Sequence, residues 1–133
     1  MNAVRMAHVS RILLGSGFVV FGVNGFLNVI PLPEFSPDAA TFFSAIQHTG
    51  YLWPLLKGVE IVAGGMLLAG VMVPLALTLL APGIVNMVLF HLFLDPANIG
   101  PALVLMLLEL AVVYFYRDAY AGVLNPKARP AGS

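Results

Sequence analysis

The chain has 133 residues, of which 60% are apolar and only 9% charged. Soluble domains carry roughly 25% charged residues; six Lys or Arg and six Asp or Glu cannot wet a water-soluble surface of this size, so the composition points to a chain solvated by a lipid bilayer. A formal net charge of zero provides no basic face for nucleic acid, and the absence of cysteine removes disulfides, thiolate metal sites, iron–sulfur ligation and C-x-x-C redox chemistry.

A helix that spans a bilayer takes about 17 to 25 mostly apolar residues. The first predicted span runs from about Ile12 to Ile30, between Arg11 and the helix-breaking Pro31 and Pro33. Its length, the internal Asn24 and Asn28 and the lack of a small-x-small cleavage site separate it from a secretory signal. Ser36-Pro37-Asp38 then reads as a helix start, with Ser as N-cap, Pro in the first turn and Asp on the positive end of the helix dipole. Ala39, Phe42, Phe43 and Ile46 follow at helical spacing, and Gly50 can stop the turn. The expectation is a short helix lying at the membrane surface rather than tucked onto the bundle.

The second span is predicted over about Tyr51 to Val71. No Asp, Glu, Lys or Arg occurs from Ile61 to Leu94; that run is too long for one helix, and Gly70 with Pro74 divides it. The third span covers about Pro74 to Phe93, with a kink expected at the internal Pro82. Asp95-Pro96 makes a turn, and the fourth span covers about Ile99 to Tyr116. Residues 121–133, rich in Pro, Gly and Ala, read as a flexible tail. The predicted fold is all-α: one domain over residues 1–120, an integral membrane four-helix bundle with a short interfacial helix in its first outer loop.

Basic residues lie at the ends of the chain, Arg5 and Arg11 before the first span and Arg117, Lys127 and Arg129 after the fourth. The loops at 31–50 and 94–98 hold Glu34, Asp38 and Asp95 but no Lys or Arg. The positive-inside rule therefore puts both termini in the cytoplasm. Tyr51 and Trp53 fall where an outer aromatic belt is expected.

Ionisable side chains inside lipid cost about 2.5–3.5 kcal/mol each on insertion scales and rarely persist without a role. Three occur well within the spans, Lys57, Glu60 and Glu109, together with Asn24, Asn28, Asn86 and His91. At 1.5 Å per residue, Asn24, Lys57 and Asn86 lie about 9–11 Å below the outer ends of their spans, and Glu60 and Glu109 about 13–15 Å below. All four helices thus contribute to one polar layer in the outer half. Lys57 and Glu60, three apart, share a helix face. Gly17, Phe21, Asn24 and Asn28 line one face of the first helix, and Leu105, Glu109, Val113 and Tyr116 one face of the fourth. Asn86 and His91, five apart, point about 140° away from each other and need not serve one site. Two carboxyls against one ammonium leave an imbalance that a proton, water or a bound ligand must meet. The layer reads either as a structural ion-pair network or as a ligand site, with Lys57, Glu60 and Glu109 as candidate catalytic residues and Asn24, Lys57, Glu60, Asn86 and Glu109 as candidate ligand-binding residues.

His91, four residues before Asp95, reads as a partner in a local hydrogen bond; His48 lies in the outer loop and His8 at the inner surface. A single in-span histidine argues against haem b, which takes axial ligands at matched depth. No metal site is predicted, and no P-loop, G-x-S-x-G, H-E-x-x-H or dinucleotide fingerprint occurs.

Several segments resemble one family. Arg11-Ile-Leu-Leu-Gly15 leading to Phe21-Gly22-Val-Asn24-Gly25-Phe26 looks like the first helix of DoxX-like membrane proteins. Gly50-Tyr51 through Pro54-Leu-Leu-Lys57-Gly58-Val-Glu60 to Ala63-Gly64-Gly65 resembles their second. Pro74-Leu-Ala-Leu, Leu80-Ala-Pro82, Asn86 and His91-Leu-Phe-Leu-Asp95-Pro96 resemble the third, and Glu109 to Tyr116-Arg117-Asp118 the fourth. The likeness covers about residues 8–120. It implies a four-helix protein of the bacterial inner membrane, in a family named for a subunit linked to thiosulfate:quinone oxidoreductase and with relatives tied to oxidative stress. The family supplies no agreed catalytic residues.

Three functions compete on these grounds. A quinone-linked redox role suits a polar layer beneath an apolar mouth, with Lys57 and Asn24 or Asn86 donating to ring carbonyls and Glu60 or Glu109 relaying a proton. A non-catalytic subunit of a larger membrane complex, or a homo-oligomer, suits the small size and flat apolar faces. A proton-coupled carrier fits least, since four short helices show no inverted repeat. A ligand site would be a pocket opening sideways to lipid or upward beneath the 36–48 helix.

Overall fold

The first helix, α1 (Ala3–Leu27), begins where the Asn2 side chain accepts a 2.9 Å hydrogen bond from the Arg5 amide. A computed structural model describes residues 2–133. It is all-helical: α1 is followed by α2 (Pro37–His48), α3 (Leu52–Ala69), α4 (Val73–Leu94) and α5 (Gly100–Phe115), with 3-10 turns at Pro96–Asn98 and Arg117–Tyr120 and no strand among the described residues.

α3, α4 and α5 lie within two residues of the predicted spans, but α1 departs at both ends. Its start lies well before Ile12, because Arg5, His8 and Arg11 interrupt an apolar run without interrupting a helix. Its end comes at Leu27, before either proline. Asn28 takes the left-handed conformation (φ 52°), and the Asn24 amide grips the backbone beyond it, accepting from Ile30 N at 2.7 Å and donating to Ile30 O at 3.0 Å. A side chain that satisfies both polar groups of a downstream residue ends the helix as firmly as a proline does.

Gly70 closes α3 with φ 71°, a conformation that costs glycine nothing. The Arg11 guanidinium reaches across from α1 to the carbonyls of Leu67 and Leu68, where a cation complements the negative end of α3. α4 continues through Pro82. On the far side of the α3–α4 turn the Tyr120 hydroxyl donates to Pro74 O at 2.9 Å, so Arg11, Tyr120 and that turn share one end of the molecule.

α1, α3, α4 and α5 pack in a ring, α1 against α3 and α5, and α4 against α3 and α5. Leu14 and Phe18 of α1, Leu67 of α3, Leu77, Leu80 and Ile84 of α4, and Leu105 and Val112 of α5 fill its centre. The α1–α3 seam is the closest. A Cβ on Gly15 would stand 2.9 Å from Gly64 O, and one on Gly64 3.0 Å from Gly15 O, so the two backbones meet directly, as small residues permit. α1, α3 and α4 are long and apolar enough to cross a bilayer; α5 is apolar but has 16 residues, about 24 Å of helix. These are the features of a multi-pass membrane protein.

α2 is not laid apart on a surface, as its sequence leads one to expect. It sits across the end of the ring on α3 and α4, with Phe43 against Trp53 (4.7 Å between ring centres) and Phe42 against Phe90 (5.5 Å). Part of its apolar stripe thus finds aromatic partners on the bundle, while Phe42 stays 38% exposed.

Candidate functional site

Beneath α2 the ring does not close. A cavity of about 300 Å³ lies there, bounded by α1, α3, α4, α5 and the 32–35 segment. Its roof is aromatic: Phe35, Phe42 and Phe43 above, with Trp53 and Phe90 at the sides. Phe35 bridges the two halves of that roof, 5.4 Å from Phe43 and 5.9 Å edge-on from Phe90. Such offset and edge-to-face pairs add about 0.5–1.5 kcal/mol each beyond their burial, so the roof is held by more than contact area.

Lys57 and Glu60 supply the polar wall. The predicted pairing holds, with Lys57 Nζ 3.0 Å from Glu60 Oε2 and 3.3 Å from Oε1. The ammonium also lies 4.6 Å from the centre of the Trp53 ring, a cation–π contact. Trp53 in turn donates from Nε1 to Gly25 O at 2.9 Å. It is thus a wall of the cavity. Gly25 makes the arrangement possible, since a Cβ there would lie 2.5 Å from Lys57 Cδ.

The remaining predicted residues divide. Asn86 lines the cavity, on the α4 stripe Gly83, Asn86, Met87, Phe90 and His91. Asn86 and His91, five apart on the helix, nevertheless both line this cavity, which is wide enough to be walled by both edges of that stripe. Asn24 is spent on Ile30 and does not line the cavity. Glu109 is 5% exposed, and neither carboxyl oxygen has a hydrogen-bond partner among the described residues. Leu105, one turn before it, reaches the cavity; Glu109 does not.

A polar corner fastens the roof. Asp95, 3% exposed, accepts from Ser36 N at Oδ1 (3.3 Å) and from Asn98 Nδ2 at Oδ2 (2.8 Å). Ser36 Oγ donates to Leu94 O and accepts from Ala39 N, so the α2 N-cap doubles as an anchor to α4. His91 Nδ1 faces the same corner, 3.4 Å from Asp95 O and 3.6 Å from Oδ2. The contact of His91 with Asp95 and the Ser36 cap are those the sequence leads one to expect; the aromatic roof and the tie of Asp95 to Ser36 and Asn98 are not, and the Phe42-Phe43 pair at helical spacing is the roof's only visible signal.

A separate apolar groove of about 360 Å³ runs between α3 and α4, lined by Leu55, Val59, Val62 and Leu79 among others. It carries no ionisable group and offers no chemistry. Among the described residues no three His, Asp or Glu side chains converge as a metal-holding group. No family model, curated protein or solved structure matches the chain. The cavity can hold a flat apolar body between aromatic faces and present donors and acceptors to its polar edge. Because Glu60 neutralises Lys57, that edge suits an uncharged oxygen-bearing group better than a free anion.

Proposed function

We propose that the chain is a DoxX-like four-helix protein of the bacterial inner membrane, with both termini cytoplasmic, and that its cavity binds the head group of a quinone-class lipid in a redox-linked role. The observation that carries this reading is the join of an aromatic roof to a single Lys57–Glu60 edge within one cavity. Ligand sites are mostly apolar with a few placed polar groups. About 300 Å³ is room for a substituted ring, with an isoprenoid tail passing out between helices to lipid. In this reading Lys57 and Asn86 donate to a ring oxygen, and Glu60 holds the ammonium in place and is the nearest proton carrier.

The test uses a built-in reporter. Trp53 is the only tryptophan and lines the cavity, so a short-chain benzoquinone that enters quenches the whole of the indole emission. Saturable quenching in detergent or nanodiscs that weakens in Lys57→Met, with helicity retained, is the expected result. The absence of saturable quenching, together with a protein that co-purifies stoichiometrically, would favour the non-catalytic subunit.

A further inference from the structure

The Lys57–Glu60 pair is one polar part of the cavity lining; His91 is another. It stands on α4, against Phe90 (5.0 Å between ring centres). Its Nδ1 is turned to the Asp95 corner, where both nearby atoms, the Asp95 carbonyl oxygen and Oδ2, can only accept. A proton on Nδ1 is favoured there, and in the neutral ring this leaves the lone pair on Nε2. Nε2 has no hydrogen-bond partner among the described residues, and His91 lines the cavity. Asp95 cannot readily turn away from this duty, because Ser36 N and the Asn98 amide fix its two oxygens.

We infer that His91 Nε2 is a ligand-facing acceptor, set by Asp95 as a positioning residue, and that the cavity therefore prefers a ring bearing a hydroxyl group to the same ring bearing carbonyls. This rests on the ring-ligand reading above and adds its oxidation state. A quinone presents only acceptors, so at His91 two lone pairs would face one another in a site lined by aromatic rings. A hydroquinone presents an O–H at each end: one hydroxyl donates to Nε2, and the other meets Lys57 and Glu60, which together can donate and accept. A buried acceptor left unmatched costs about 1–3 kcal/mol, and 1.4 kcal/mol is tenfold in affinity.

The experiment compares three probes by Trp53 quenching of the full chain in nanodiscs under anaerobic conditions. They are a benzoquinone with one isoprene unit, its hydroquinone, and the bis-methyl ether of that hydroquinone, which is reduced but has no donor. Wild type is expected to bind the hydroquinone about tenfold more tightly than either of the others. His91→Phe, which keeps a ring but removes the acceptor, is expected to bring the three affinities together by weakening the hydroquinone alone; Asp95→Asn is expected to narrow the same ratio. Equal affinity for hydroquinone and quinone in wild type overturns the inference whatever the variants do, and so does a ratio that survives in His91→Phe. In both cases the ring-ligand reading stands. If none of the three probes quenches, the ring-ligand reading itself fails and this inference falls with it.

Discussion

Gly25→Ala separates the position of Lys57 from its identity. The added Cβ would stand 2.5 Å from Lys57 Cδ, 2.6 Å from Cγ and 2.9 Å from Cε. Carbon atoms settle at about 3.5–4.0 Å, so the lysine stem must retreat by about 1 Å or more. Nζ begins 3.0 Å from Glu60 Oε2, and a retreat of that size carries it out of hydrogen-bond reach. A hydrogen bond to a charged group contributes about 1.5–3 kcal/mol, whereas replacing a helical glycine by alanine returns about 1 kcal/mol. The expected net loss is about 0.5–2 kcal/mol, read as a lower midpoint of thermal unfolding by circular dichroism. The affinity for the quinone probe is expected to fall about tenfold through loss of its donor. Gly15→Ala is the control. Its Cβ meets the Gly64 backbone oxygen, which cannot swing aside, so overpacking costs about 1–3 kcal/mol while the cavity keeps its affinity. A Gly25→Ala protein that is more stable than wild type and binds the probe equally well would refute the placement of Lys57 against that glycine.

Lys57→Met alone is expected to destabilise by about 3–5 kcal/mol, because it strands the Glu60 carboxylate; Lys57→Met with Glu60→Gln restores most of that loss, and equal melting of the single and double variants would contradict the pairing. Glu109→Met is expected to raise the melting temperature, since both carboxyl oxygens are buried without partners and their desolvation costs about 1–3 kcal/mol; a fall would mean that the carboxyl is matched by a group on another chain or ligand. Reporter fusions at Ala45 and Ser133 are expected to read opposite sides of the membrane, and matching sides would overturn the proposed orientation.

Punctuation made most helix limits legible. Gly70 and Pro74 bound the α3–α4 turn, Asp95-Pro96 bounds α4, and Ser36-Pro37 opens α2. The Lys57–Glu60 pair was legible too, since an i,i+3 spacing decides facing before any tertiary structure is known. Three features were not. Asn24 sits at the right depth, but its amide is captured by Ile30, only six residues on, through a turn that no periodicity reports. α2 shows an apolar stripe that lipid or protein could cover equally well; only its aromatic neighbours Trp53 and Phe90, distant in sequence, decide between them. The angular separation of Asn86 and His91 is a property of one helix, whereas a shared cavity is a property of its width, which depends on every other wall.

Gly83 has a bearing on how this cavity can be manipulated. It lies on the cavity wall within α4, and a Cβ added there meets nothing within 4 Å. The position is a vacant socket: a leucine or phenylalanine has room to grow there, at a residue that lines the cavity one turn before Asn86. A stoppered protein of this kind would keep all of its ionisable groups and lose only its room. Any process in the cell that continues with the stopper in place does not pass through the cavity, and any that stops does.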